Sequence, residues 1–176
     1  MKKQEKTSYV KEEITKTLLK LLNEYDIKDI DIRFLCNEAG VGRASFYRNY
    51  SSKEQVILEH ASQLIRQWGA DFESDPNSSP FNVFGSLFAH FKRNKKFYTL
   101  LYKQNLLDIV LEAIKEKVGL IPSLSNKEAY EKAFFSYGLY GWISEWIKRG
   151  MKESAEEINQ LLLSDSIAKM VSTQTR

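Results

Sequence analysis

The sequence predicts an all-α protein, and three observations carry that prediction. Apolar residues recur at three- and four-residue steps through most of the 176 residues. The three prolines stand at positions 76, 80 and 122, and four of the eight glycines, at 40, 42, 119 and 150, fall at segment edges. No segment shows the convincing period-two alternation of a half-buried strand. With 43% hydrophobic and 28% charged residues, the chain can bury a real core and is not a mainly disordered one.

About nine helices are expected. Val10, Ile14, Leu18, Leu21, Leu22 and Tyr25 form the apolar stripe of a first helix entered near Thr7 or Ser8 and ending near Asp26. Two short helices follow between Asp31 and Tyr50. Ser51 and Glu54 have capping-box spacing and open a long helix that carries Ile57, Ala61, Leu64, Ile65, Trp68 and Phe72 and stops before Pro76. Residues 73–80 hold the turn formers, too few for a free linker. Phe81, Phe84, Phe88 and Phe91 give the next stripe, Phe97, Leu100 and Leu101 a short helix over Lys95 to Lys103, and Leu106, Ile109, Val110, Ala113 and Ile114 another that Gly119 and Pro122 break. Ser125 with Glu128 caps a helix running to Gly150, and Ser154 with Glu157 opens a last one carrying Ile158, Leu161, Leu162 and Ile167.

Asp31 to Tyr50 reads as a helix-turn-helix. Asp31 caps its first helix, Leu35 and Cys36 point inward, Gly40 supplies the positive φ that ends it, and Val41 packs into the bend. In the second helix, at about 100° per residue, Arg43, Ala44, Tyr47 and Arg48 spread over one arc while Phe46 and Tyr50 fix the helix to the core. Two guanidiniums and a phenol beside a small residue suit a major groove edged by phosphates.

The run Ala39, Gly40, Val41, then Phe46 and Tyr47, then Tyr50, Ser51, Ser52, Lys53 and Glu54 resembles the signature of the TetR/AcrR family of bacterial transcriptional regulators, over roughly residues 10–60. The resemblance implies an all-helical homodimer on double-stranded operator DNA, with a helix-turn-helix DNA-binding domain over residues 1–52 and a helical effector-binding and dimerising domain over 53–176. It implies a cytoplasmic protein, most naturally a repressor, whose DNA-contacting residues are Gly42, Arg43, Ala44, Ser45, Tyr47, Arg48 and Lys53, with Tyr47 and Lys53 reaching phosphate. Three positions depart from the family pattern. Asp31 stands where a phosphate-touching Thr or Ser is usual, Gly42 replaces a Ser or Thr at the cap, and Asp26 takes the place of a Gly. Asp31 and Gly42 are also what a protein-interaction adaptor or co-activator on the same fold would show. Cys36 replaces a small residue and reads as a packing cysteine rather than a redox sensor.

Residues 137–150 and 154–162 are similar to the last two helices of a TetR subfamily common in Firmicutes, and family precedent puts the dimer there. That assigns Tyr137, Gly138, Gly141, Trp142, Glu145, Ile158, Leu161 and Leu162 to the interface. Residues 134–147 leave little of their helix polar, so one face can serve the subunit core and another a partner, or the helix can be central in a monomer. Phe84, Phe88, Phe91, Tyr98, Tyr102, Phe134 and Tyr137 are aromatic enough to line a pocket for a small apolar or aromatic effector, although the same spacing builds an ordinary core. His60 and His90 read as satisfied or exposed histidines. The run Lys92, Arg93, Asn94, Lys95 and Lys96 reads as a solvated helix end, or as a contact for an acidic partner or a DNA backbone.

No metal or other cofactor is implied, since one cysteine and two histidines leave few ligands. No motif for a nucleophile with its base, a catalytic carboxylate pair or a phosphate loop is present, so an enzyme is not expected. The longest uncharged apolar stretch, 133–144, falls well below the roughly 18–20 residues that span a bilayer. The N-terminal stretch carries acids and no unbroken apolar core, so no export is expected. Net charge is only +3. Between Ala39 and Lys53, however, Arg43, Arg48 and Lys53 stand without an acid, and that local surface points to DNA.

Overall fold

A computed structural model describes residues 3–163. Among the described residues it holds nine α-helices, one 3-10 turn (Ile27–Asp29) and no strand. The helices are α1 (Lys3–Leu21), α2 (Ile32–Glu38), α3 (Arg43–Asn49), α4 (Lys53–Ser74), α5 (Val83–Arg93), α6 (Lys95–Lys103), α7 (Asp108–Val118), α8 (Asn126–Lys148) and α9 (Ala155–Leu163). Ile167, expected on the last helix, lies outside the described residues.

Two helix boundaries differ from the sequence reading. The first helix begins at Lys3 and stops at Leu21, short of Asp26, because tightened bonds from Asn23 to Lys20 and from Glu24 to Leu21 close its last turn. The Asn23 carboxamide also donates to the Leu19 carbonyl at 2.7 Å. At the start of α4 the cap is Ser52, not Ser51: the Ser52 hydroxyl accepts from Gln55 N, and the Gln55 side chain bonds back to Ser51. Two adjacent serines face two candidate partners, Glu54 and Gln55, and the register one residue later wins. Ser125 and Glu128 form the reciprocal capping box at the head of α8, and Ser154 and Glu157 make the same exchange before α9.

One core joins all nine helices. Its spine is α4, where Val56, Ile57, Ala61, Ile65 and Trp68 are buried along one stripe. The helix packs on α1, and also on α5 and α7. Gly69 leaves room for the Lys117 side chain, whose ammonium would lie 2.3 Å from a Cβ there as it crosses toward Glu73.

The connector between α1 and α2 is held by side chains from outside it. Lys53, at the head of α4, donates to the carbonyls of Ile27 and Ile30. Gln104, at the end of α6, accepts from Ile27 N at 3.0 Å and donates to the carbonyls of Leu22 and Tyr25 at 2.7 and 3.0 Å. One carboxamide thus satisfies three backbone groups of a chain segment remote in sequence. Similarly, Lys92 and Lys95 close the α8–α9 turn by donating to the carbonyls of Met151, Glu153 and Gly150.

Removing the Gln104 carboxamide leaves an amide and two carbonyls unpaired in a half-buried junction. Gln104→Ala is expected to lower the unfolding free energy in urea by about 2–3 kcal/mol. Lys103→Ala beside it, exposed, changes stability by less than about 0.5 kcal/mol.

Candidate nucleic-acid interface

The α2–α3 unit is specified residue by residue. Asp31 is extended, and its carboxylate accepts from Phe34 N at 2.7 Å, which caps α2. At the other end Gly40 adopts φ +63°, Val41 N bonds to Cys36 O at 3.0 Å, and Gly40 N bonds to Asn37 O at 3.2 Å. This pair of bonds is a Schellman ending, and it throws the chain into the turn. Gly42 then caps α3 through its carbonyl alone. A Cβ at position 42 would meet nothing within 4 Å and its φ is −74°, so a serine would fit and nothing in the backbone demands glycine. Leu35, Cys36 and Phe46 are buried together. Burial pushes the Cys36 thiol above its ordinary pKa, which fits a packing residue.

Phe46 anchors α3 at zero exposure, edge-on to Tyr47 at 5.5 Å and tilted on Tyr50 at 5.9 Å. Tyr50 is buried under Lys11, whose ammonium sits 5.3 Å from the ring and pairs with Glu59. Anchored this way, α3 turns Arg43, Ala44, Tyr47 and Arg48 to solvent, with Tyr47 61% exposed. Arg48 donates to the Ser45 hydroxyl at 2.8 Å, which fixes the guanidinium along the helix. Among the described residues neither Arg43 nor Arg48 pairs with a carboxylate. Lys53 behaves differently from its two arginine companions: its ammonium is spent on the Ile27 and Ile30 carbonyls. Sequence reading missed this role because the acceptors are backbone groups brought in by the fold.

The seven aromatic residues considered for an effector pocket do not line one cavity. Phe88, Phe91 and Tyr98 are fully buried core, while Phe134, Tyr137 and Tyr102 are exposed. Only Phe84 lines the apolar cavity of about 280 Å³ between α4, α5, α7 and α8, with Ile65, Trp68, Leu87, Ile114 and Phe135. Lys117 and Val118 stand at the same cavity. The Trp68 indole donates to Ser86 Oγ at 3.0 Å beside it. His90 is buried, with Nε2 3.0 Å from the Tyr98 hydroxyl and Asn94 against its own carbonyl. Burial, with some help from Arg93, lowers the His90 pKa to about 4. His60 is half-buried against Phe97 and is lowered for the same reason.

Among the described residues the outer face of α8 is largely apolar and uncovered, save that the Lys115 ammonium sits 5.0 Å from the Tyr137 ring and Glu145 pairs with Arg149. Tyr130 is 71% exposed and Phe134 85%, and Tyr137, Gly138, Gly141 and Glu145 continue the stripe at helical spacing. A Cβ at Gly138 or Gly141 would meet nothing within 4 Å. Trp142 is half-buried. On α9, Leu161 is exposed and Leu162 partly covered. Ile158 departs from the expected interface: it is 7% exposed and packs in the subunit's own core, because α9 lies against α5.

A helix-turn-helix unit mounted on a helical body defines the class, a transcriptional regulator. Residues 78–164 match the family described as "Transcriptional regulator C-terminal region", of TetR type. A solved structure of Lin0861 from Listeria innocua is similar over 94% of this chain and 92% of its own, with a TM-score of 0.77 at 15% identity, a likeness of fold. No curated protein matches the chain. Within its class, the body of this chain carries the C-terminal region of a TetR-type transcriptional regulator. Among the described residues no helix is long and apolar enough to cross a membrane, and no cluster of side chains is fit to hold a metal.

The buried histidine makes stability depend on pH. Folded His90 stays neutral down to about pH 4, whereas an unfolded imidazole protonates near 6.5. Its contribution is therefore complete above pH 6.5 and is lost as pH falls toward 4. From pH 7 to 5 the loss is about 2 kcal/mol, at roughly 1.4 kcal/mol per unit below 6.5. Urea unfolding at the two pH values should show it, and His90→Gln should remove most of it, with His60 leaving a smaller slope of the same sign.

Proposed function

We propose that this regulator binds a pseudo-palindromic operator as a homodimer and represses transcription, under the control of a small effector. The observation that carries the reading is the arc of α3, where two guanidiniums with no carboxylate partner among the described residues and the Tyr47 phenol face solvent from a helix locked by Phe46. An α-helix of this width enters a major groove, where Arg43 and Arg48 reach phosphate or guanine edges and Ala44 admits close approach to a base. Residues 1–52 serve as the DNA-binding part and 53–176 as the body. Two copies joined through the α8 face, with Leu161 and Leu162 beside it, present two recognition helices to successive grooves. The cytoplasm is where such a protein meets its operator.

An effector of apolar or aromatic character fits the 280 Å³ cavity, whose size admits only a small molecule. Ile65 and Trp68 on its wall belong to α4, the helix that follows the α3 anchor, so a ligand that displaces α4 re-aims α3. Regulation rather than catalysis is the work of this arrangement.

A second reading has its own support. Asp31 places a carboxylate at the exposed head of α2, and Lys53 is occupied by backbone carbonyls, both of which weaken a phosphate-facing surface. An adaptor that docks a protein would bind any duplex weakly and alike.

Selection of an operator from random duplexes, followed by titration over a salt series, separates the two. With Arg43 and Arg48 of both subunits on phosphate, four contacts give a log-log salt slope of roughly −4, and Arg43→Ala with Arg48→Ala brings it near zero. Engagement of Lys53 as well would steepen it to about −5. Failure to select any sequence, with no effect of either arginine, removes the operator reading. Phe134→Asp is expected to convert the dimer to monomer in sedimentation and to weaken operator binding at least tenfold, with helix content unchanged.

A further inference from the structure

From Pro76 to Leu107 the chain contains no aspartate or glutamate, yet it carries five Lys and Arg: Lys92, Arg93, Lys95, Lys96 and Lys103. The fold divides them by task. Lys92 and Lys95 are consumed by the carbonyls of the α8–α9 turn. For Arg93, Lys96 and Lys103 no carboxylate or carbonyl partner is found among the described residues. All three line a groove of about 750 Å³ between the end of α1 and the head of α6. Asn23, Asn94, Phe97, Thr99, Leu100 and Lys95, whose ammonium is already held by Gly150 O, complete its wall, and no acid lines it.

Two further observations mark the groove as more than a solvated helix end. Thr99 is half-buried, and its hydroxyl oxygen is covered and has no hydrogen-bond partner among the described residues. Buried hydroxyls of that kind are uncommon, since a lost partner costs about 1–3 kcal/mol. Asn94, at the N-cap of α6, donates its carboxamide to His90 O instead of accepting from the first turn, so no side chain covers the positive end of the helix. Lys96 and Lys103 are seven residues apart on one face of α6, about 10 Å along the axis, and Arg93 is the last residue of α5, across the Asn94 break from Lys96.

We propose that this groove binds a small molecule carrying two or more phosphate groups. One anionic group sits at Arg93, Lys96 and the head of α6, another reaches Lys103, and the intervening part lies on Phe97 and Leu100. A planar guanidinium and an ammonium placed at a helix N-terminus are the usual donors for phosphate oxygens. The site lies on the body and is remote in sequence from α3, so loss of operator binding and loss of phosphate binding are separate outcomes.

Titration calorimetry of the full chain with inorganic tripolyphosphate at 150 mM salt tests it. Saturable binding is expected, with at least a tenfold loss in Arg93→Ala/Lys96→Ala/Lys103→Ala and little change in Lys16→Ala/Lys127→Ala/Lys152→Ala, which removes the same charge elsewhere. Should the first triple variant fail to fold, Lys96→Gln and Lys103→Gln singly carry the test, each expected to weaken binding threefold or more. Absence of saturation, or an equal loss in the control triple variant, overturns the proposal. So does a random duplex that outcompetes tripolyphosphate only while the three cations are present, which would assign the groove to nucleic acid.

Discussion

The segment between α1 and α2 satisfies only part of its own backbone hydrogen bonding, and side chains from two distant helices complete it. A chain that turns tightly after Leu21 and again at Ile30 leaves carbonyls and an amide outside any helix ladder, and the partly buried ones among them need partners. Lys53 and Gln104 pair them, one from the head of α4 and one from the end of α6. Together with the Lys11–Glu59 ion pair they tie the N-terminal helices to the body through polar groups. The apolar stripe of α4 supplies the rest of the coupling, because Val56 and Ile57 belong to the core near α1 while Ile65 and Trp68 belong to the core near α5 and α7. A shift of α4 or α6 is therefore felt at the mounting of α3 and cannot be absorbed by a flexible linker.

How much of this was legible in the sequence depended on whether the determining contact is local. Asp31, Gly40, Ser125 with Glu128 and Ser154 with Glu157 act on backbone groups within a few residues, and their spacing states their role. Phe46 could be separated from Tyr47 by helical phase alone. The long-range assignments behaved otherwise. Phe84, Phe88 and Phe134 share the same spacing and chemistry, yet one lines a cavity, one fills the core and one faces solvent, because the helices that cover them are chosen by topology. Lys53 in sequence is a basic residue next to a recognition helix. Its partners lie more than twenty positions away and are main-chain atoms, which have no sequence signature.

The basic residues of the body illustrate the same division. Five cations in an acid-free run look uniform on paper. In three dimensions two are structural clasps on the α8–α9 turn, and the other three line a groove beside one of them, Lys95. Net charge conceals the difference, as it conceals the acid-free face of α3 within a first third of the chain that is nearly neutral. What decides a cation's role is whether a carbonyl or carboxylate already holds it.

Cys36 has a practical corollary. It is the sole cysteine of the chain and lies 1% exposed between α2 and the core, with its thiol held protonated by burial. Alkylating and disulfide-forming labels require an accessible thiolate, so the native protein is silent to them. A single cysteine engineered at an exposed position of α3 would then be labelled alone, without first deleting a core residue. In an assembly of two copies that gives one spin or dye per recognition helix, and the separation between the helices becomes a quantity that can be read directly in solution.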